Sequence, residues 1–94
     1  MDENEQARPA PVLLSDGTEV KPQLYIQKTC ALYKVSTVYP AENRFTATVC
    51  FDHSGDLPGR TTVRGLTREQ AARWKPASAQ VVSRYHQYLD RGRS

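Results

Sequence analysis

A strict alternation of apolar and polar side chains near the middle of the chain restricts the fold more than any other feature of the sequence. The apolar members all occupy odd positions: Phe45, Ala47, Val49 and Phe51. The polar members fill the positions between and beside them: Arg44, Thr46, Thr48, Cys50 and Asp52. Because successive side chains of a β-strand point to opposite faces of a sheet, this period of two predicts a strand with one packed and one solvated face.

A second strand-like stretch, residues 23–39, precedes the alternation and is rich in β-branched and aromatic side chains. Pro40 and Asn43 favour a turn between the two stretches, so we expect an antiparallel hairpin with odd positions opposite odd positions. The predicted apolar face holds Tyr33, Val35, Phe45, Val49 and Phe51. The predicted polar face holds Lys34, Ser36, Thr46 and Thr48.

The start of this second stretch does not follow the same parity. Leu24 and Ile26 occupy even positions, whereas the later apolar residues of the stretch occupy odd ones. A change of parity indicates a bulge, a break or a separate strand near residues 28–29. A helix over residues 23–35 is the alternative interpretation.

Two shorter segments also carry strand or turn signals. Asp16 and Gly17 stand between two short apolar runs, which predicts a hairpin closed by a type I′ turn. Residues 60–64 are a short strand candidate, and their arginine and threonine content is typical of a sheet edge.

The C-terminal third of the sequence carries helical signals. Thr67 and Gln70 have the spacing of a capping box, which predicts a helix that begins there and runs to about Trp74. Pro76 suits the first turn of a second helix that runs to about Asp90. The apolar residues of that second helix fall on one stripe: Val81, Val82, Tyr85, Tyr88 and Leu89.

These elements predict one α+β domain, which is all that 94 residues accommodate. We expect a small antiparallel sheet of three to five strands, covered on its apolar face by one or two C-terminal helices. The residues expected to pack on the sheet are Trp74, Val82, Tyr85 and Leu89. Composition assigns residues 1–11 to a flexible acidic arm, 12–91 to the domain and 92–94 to a frayed tail.

Charge is distributed unevenly along the chain. Residues 1–20 hold five acidic side chains and one basic one, whereas residues 59–94 hold eight basic and two acidic side chains. An anion-binding C-terminal half explains this asymmetry, but so does an acidic head folded onto a basic tail, or simple solvation of both. The candidate partner-binding residues are the arginines and one tyrosine of this half: Arg60, Arg64, Arg68, Arg73, Arg84, Tyr88 and Arg91.

Catalytic chemistry has little support in the sequence. The only local cluster of catalytic residue types is residues 52–56, and its Asp, Ser and Gly are the residues that any turn prefers. His86 lies near the apolar stripe of the last helix, where a boundary histidine is the simplest interpretation. No phosphate loop, HExxH, GxSxG or cysteine–histidine metal spacing occurs, so we expect neither an enzyme nor a bound metal or cofactor.

The cellular context is predicted from three absences. The longest apolar run, residues 12–14, is far too short to cross a membrane. The acidic first ten residues do not have the pattern of a signal peptide. Cys30 and Cys50 are too few for a disulfide scaffold, so we expect two reduced thiols in a cytoplasmic protein.

Function is therefore inferred by exclusion. The first hypothesis is a protein-binding module that acts as a small regulator, inhibitor or adaptor through its edge strand or a helical face. Small inhibitors encoded by phages or mobile elements fit this description. The alternative is nucleic-acid binding through the arginine-rich C-terminal half. A third hypothesis, a hydrolase-like or metal-dependent site at residues 52–56, rests on residue types alone.

Overall fold

The computed structural model describes residues 10–58 and 60–93, and it shows a five-stranded antiparallel sheet and a C-terminal helix. The strands are β1 (Tyr25–Lys28), β2 (Ala31–Tyr39), β3 (Arg44–Phe51), β4 (Val63–Thr67) and β5 (Lys75–Pro76). A 3-10 turn spans Pro40–Glu42, and the α-helices are α1 (Arg68–Ala71) and α2 (Ala79–Arg93). The strand order is β4-β3-β2-β1-β5. The predicted α+β class is confirmed.

Parts of the domain prediction fall outside this description. The expected arm at 1–11 lies mostly within residues 1–9, which are not described, and the expected tail at 92–94 ends in a residue that is not described. Within the described ranges, no helix has the length and apolar character that a membrane crossing requires.

β1 and β2 form a tight hairpin, which accounts for the change of parity in the sequence. The turn is Thr29 and Cys30, and Thr29 adopts a positive φ of 54°. Reversal of the chain places Ile26 opposite Tyr33, so an even and an odd position share one face. A break between two strands was among the three predicted outcomes at residues 28–29, and the helical alternative for residues 23–35 is wrong.

The pairing of β2 with β3 follows the prediction in its centre and departs from it at two bulges. Val35 lies opposite Ala47, as the odd-to-odd register requires. The register shifts between Val35 and Thr37, so Ser36 is an extra residue on β2. A second shift leaves Cys50 as an extra residue on β3, and each bulge moves the residues beyond it to the other face.

The second bulge overturns one core assignment. Phe51 lies opposite Leu32 and packs with it and Cys50 in a separate apolar cluster. Leu32 is adjacent to Tyr33 in β2, and adjacent side chains of a strand point to opposite faces. The prediction that Phe51 shares the face of Phe45 and Val49 is therefore wrong.

The main core lies on the face that carries Tyr33, Val35 and Phe45. Its buried members come from the N-terminal hairpin, from all four longer strands and from the segment around α1: Val12, Leu14, Val20, Ile26, Ala31, Tyr33, Val35, Phe45, Ala47, Val49, Leu66, Ala71 and Trp74. The N-terminal hairpin and the segment that contains Ala71 and Trp74 cover this face. The sequence-based prediction, which gives this role to the C-terminal helices alone, is therefore incomplete, because the apolar run at 12–14 is too short to show a packing pattern.

The N-terminal hairpin at Asp16 and Gly17 is confirmed, with a different turn. The Val20 amide donates to the Val12 carbonyl at 2.8 Å, and the Gly17 amide donates to the Leu14 carbonyl at 3.0 Å. Gly17 has a φ of 89°, whereas Asp16 is not in the positive-φ region, so the turn is not type I′. The Asp16 carboxylate accepts a hydrogen bond from the Thr18 amide, which lowers the pKa of that carboxyl.

Helix α2 contacts the opposite side of the sheet through few residues. Val81 and Tyr85 pack against the second cluster, and the rings of Phe51 and Tyr85 meet edge to face at 5.6 Å between centroids. From Ala79 to Arg91 no side chain is buried, and Leu89 is 37% exposed. Val81 takes the place predicted for Val82, and Leu89 does not belong to the core.

The remaining elements begin and end differently from the prediction. The capping box is present, because Thr67 Oγ1 accepts from the Gln70 amide and Gln70 Oε1 accepts from the Thr67 amide. Helix α1 nevertheless ends at Ala71. Pro76 pairs with β1 in β5, where an edge position tolerates its missing N–H, and α2 begins after Ser78, whose Oγ accepts from the Val81 amide.

The face assignment predicts which residue of a neighbouring pair carries stability. Phe45 is fully buried in the main core, so Phe45→Ala should lower the free energy of unfolding by about 3–5 kcal/mol. Thr46 is half-buried on the polar face, so Thr46→Ala should cost under about 1 kcal/mol. Urea denaturation followed by circular dichroism measures both, and a costlier threonine would contradict the face assignment.

Candidate functional site

The outer edge of β4 carries backbone groups that no other strand of the described ranges binds. The Val49 amide donates to the Thr62 carbonyl, and the Arg68 amide donates to the Asn43 carbonyl. Antiparallel partners exchange hydrogen bonds at every second residue, so these two bonds determine which residues of β4 have backbone groups paired with β3. Thr62 and Arg64 direct their N–H and C=O groups toward β3.

Val63 and Gly65 consequently direct their N–H and C=O groups away from the sheet. Within residues 10–58 and 60–93, neither backbone has a hydrogen-bond partner on that side. Thr67, the next residue of this set, already binds Gln70 through its amide. Val63 is 58% exposed, and a Cβ added at Gly65 would meet nothing within 4 Å. The edge is therefore open to a further strand over Val63 and Gly65.

A cleft adjoins this edge on the face of the main core. Its volume is about 220 Å³. The polar residues that line it are Lys28, His53, Arg64, Gln70 and Arg73, and the remaining lining residues are Tyr33, Gly65, Leu66 and Trp74. We call it the cationic cleft. Arg64 and Gly65 belong both to the cleft and to β4, so the cleft reaches the open edge.

Aromatic rings form the inner wall of the cationic cleft. The rings of Tyr33 and Trp74 pack at 4.5 Å between centroids, and the Tyr33 hydroxyl lies 3.3 Å from Nε2 of His53. Tyr33 and Trp74 are each only 3% exposed. Their ring faces are therefore covered by the protein itself and are not available to stack on a ligand.

The charges of the cationic cleft are not neutralised within the described part of the chain. Among residues 10–58 and 60–93, no carboxylate lines the cleft, and the side chains of Lys28, Arg64 and Arg73 form no hydrogen bond or ion pair. Across residues 10–58 and 60–93, the one salt bridge joins Arg44 to Glu42. The cleft thus concentrates positive charge beside an open strand edge.

Arg68 has a different role from the other candidate residues. Its Nε donates to Oδ1 of Asn43 at 2.8 Å, and Nη1 donates to the carbonyl of Pro11 at 2.6 Å. Nη2 donates to the carbonyls of Ala10 and Pro40. These bonds join the N-terminal segment to the β2–β3 turn and use four of the five N–H donors of the guanidinium, so Arg68 has a structural role and offers little to a partner.

The other candidate residues do not form a single surface. Arg64 and Arg73 line the cationic cleft. On the side of the second cluster, the Arg84 guanidinium lies 5.3 Å from the Phe51 ring centroid. Arg91 lies 6.0 Å from the ring centroid of Tyr88 on the same helix.

Arg60 lies in the exposed loop before β4, where it lines a second, apolar cleft with Leu57, Tyr85 and Leu89. The seven residues are thus distributed over two sides of the sheet and one internal hydrogen-bond network. Sequence reasoning did not consider Lys28, assigned Trp74 to the core alone, and considered His53 only for catalysis or metal binding. Nothing local in the sequence connects these three residues to Arg64.

The loop of residues 52–56 is a hydrogen-bonded turn. Asp52 Oδ1 accepts from the Ser54 amide at 2.9 Å and from the Asp56 amide at 3.1 Å, and Gly55 adopts a φ of 83°. His86, an exposed residue of α2, lies with its Nε2 3.3 Å from the Tyr25 hydroxyl. No group of three or more His, Cys, Asp or Glu residues suited to a metal occurs in the described ranges.

The two cysteines are free and differ in environment. Cys30 is exposed, whereas Cys50 is 2% exposed beside Tyr85. Burial raises the pKa of the Cys50 thiol, although the hydrogen bond with Tyr85 and the Lys34 charge act in the opposite direction. Burial also raises the pKa of the Tyr85 phenol to about 12, and the neighbouring Cys50 adds to this rise.

Comparison with known proteins adds no family to this description. No protein-family model, curated protein or solved structure matches the chain. Function is therefore argued from the open edge of β4 and the cationic cleft.

The hydrogen bonds of Arg68 predict a structural phenotype. Arg68→Ala leaves several carbonyls without their donor, so it should lower the free energy of unfolding by about 1–3 kcal/mol. Arg64→Ala removes the same charge from an exposed side chain without hydrogen bonds, so its effect should stay within about 0.5 kcal/mol. Equal melting temperatures for the two variants, measured by circular dichroism, would contradict the structural role of Arg68.

The cysteines predict selective alkylation. Because only the thiolate reacts and burial disfavours it, iodoacetamide at pH 8 should modify Cys30 and leave Cys50 intact in the folded protein. Peptide mapping by mass spectrometry measures both sites. Unfolding in guanidinium should expose Cys50 and serves as the control, and equal native rates would show that Cys50 is accessible.

Proposed function

We propose that this protein is a non-enzymatic protein-binding module, a small regulator, inhibitor or adaptor that receives an extended segment of its partner at the outer edge of β4. The partner segment extends the antiparallel sheet by one strand. The unpaired backbone of Val63 and Gly65 is the observation that carries this proposal. Strand addition obtains affinity from main-chain hydrogen bonds and specificity from the side chains beside them.

The charge around the edge defines the kind of segment that fits. Arg64 lies on β4 itself, and Arg73 lies in the cleft beside it, both without a carboxylate partner in the described ranges. Opposite charges across an interface speed association and select among partners. The partner segment is therefore extended and acidic.

The same geometry supports a protein partner better than a nucleic acid. A nucleic-acid surface needs a continuous track of cations for the phosphates and exposed rings for unpaired bases. Arg64 and Arg73 face one side of the sheet while Arg84 lies on the other, and the rings of Tyr33 and Trp74 are covered. A non-enzymatic role fits the turn at residues 52–56, where the Asp52 carboxylate already accepts two amides. We assign the module to the cytoplasm, because both cysteines are free thiols.

A proline at the outward-facing position of β4 tests strand addition directly. Gly65→Pro removes the outward N–H without removing a hydrogen bond to β3, because the Gly65 amide does not pair inward. The probe is a capped decapeptide in which glutamate alternates with valine and threonine. Gly65→Pro should weaken its binding by about tenfold or more, because the added strand loses a main-chain donor and meets the proline ring.

Gly65→Ala is the matched control, since it adds a Cβ in open space and keeps the N–H. Isothermal titration calorimetry measures the affinities, and hydrogen exchange should show slower exchange of the Val63 and Gly65 amides when the peptide is bound. Equal binding by the proline and alanine variants would place the contact elsewhere. Submicromolar, strongly salt-dependent binding of an oligonucleotide would favour the nucleic-acid alternative.

A further inference from the structure

We propose that the cationic cleft is an oxyanion-binding site, which takes the carboxylate or phosphate group of a side chain carried by the bound strand. This inference rests on the proposed function for the origin of the anion, but the chemistry of the site rests on the cleft itself. Lys28, Arg64 and Arg73 bring three cationic side chains, unpaired within the described part of the chain, to one cavity of about 220 Å³.

The lining selects a compact anion. Guanidinium groups bind carboxylate and phosphate oxygens with two parallel hydrogen bonds, and the Gln70 side chain, although engaged by the Thr67 amide, keeps a second polar group at the cleft. His53 adds a ring nitrogen beside the Tyr33 hydroxyl. None of the described residues that line the cleft carries a carboxylate that would repel such a ligand. Because the rings of the inner wall are covered, the cleft offers no stacking surface for a nucleobase.

The position of the cleft connects it to the strand edge. Arg64 lies opposite Ala47, and Leu66 lies opposite Phe45, so the Arg64 side chain projects from the face that holds the main core. A strand added to β4 would lie about 4.8 Å away, with every second side chain on that same face. A short acidic side chain beside Arg64 would thus point toward the mouth of the cleft.

Trp74 provides a built-in reporter for this site. It is the only tryptophan of the chain, and it lies in the wall of the cleft. We follow its fluorescence in the full chain during four separate titrations. The ligands are inorganic phosphate, the glutamate decapeptide, the glutamine analogue of that peptide, and a version of the peptide with a central phosphoserine. The test variant is the double substitution Arg64→Gln with Arg73→Gln. Arg84→Gln is the matched control, because it removes an exposed arginine from the other side of the sheet.

We expect inorganic phosphate to change the Trp74 signal in the native chain and in Arg84→Gln, with the affinity reduced about fivefold or more in the double variant. The two acidic peptides should bind more tightly than the glutamine analogue, and their order identifies whether the site prefers carboxylate or phosphate. Two results would overturn the anion site. The first is equal phosphate affinity of the double variant and the native chain. The second is the absence of any response to phosphate together with equal binding of all three peptides.

The two proposals fail in different ways. If the peptides slow exchange of the Gly65 amide but bind equally with or without their charges, strand addition stands and the anion site falls. If phosphate binding depends on Arg64 and Arg73 while no peptide slows exchange at Gly65, the anion site stands and strand addition falls. Melting temperatures equal to that of the native chain would show that the variants are folded. Loss of the Trp74 fluorescence response in such a variant then reports loss of the anion site.

Discussion

The pairing of β2 with β3 is the interaction on which the other elements depend. It is the longest strand pair of the sheet, and both of its bulges determine which face the neighbouring residues occupy. At the Cys50 bulge, Phe51 moves away from the main core and provides the surface on which Tyr85 of α2 packs. At the other end, the bulge at Ser36 keeps Val38 opposite Phe45, so the main core continues to the turn. The Cys50 bulge thus gives the sheet a second apolar face, and the Ser36 bulge extends the first one.

Sequence periodicity predicted the strands and the centre of their register, but it did not predict these changes of face. Phe45, Ala47 and Val49 follow the alternation because each has one residue opposite it. Phe51 has the same parity, but its placement depends on Cys50 having no counterpart on β2, and a period of two contains no information about that. The second C-terminal helix is present, but its predicted start at Pro76 is wrong for a related reason. Local proline preferences favour a first helical turn, whereas pairing with Ile26, fifty residues away, makes Pro76 part of a strand.

The candidate site also combines residues that the local sequence identifies with residues that only the fold brings together. Arginine density identified Arg64 and Arg73, which do line the cationic cleft, but it gave equal weight to Arg68. Arg68 stands only four positions from Arg64, yet its guanidinium is used by the carbonyls of Pro11 and Ala10. Lys28, the last residue of β1, also lines the cleft. Such juxtapositions arise from sheet topology, so a single sequence contains no signal that reveals them.

The open edge of β4 also has a consequence for the solution behaviour of the chain. An exposed strand edge accepts any strand, including that of an identical molecule, and this is a common route to aggregation. Antiparallel pairing of two β4 strands about Gly65 would set the Arg64 side chains of both molecules on one face, within two positions of each other. Their like charges oppose that contact. The charge of Arg64, which suits the acidic strand we propose, would therefore also oppose pairing between identical molecules, and salt, which screens charge, would weaken this repulsion.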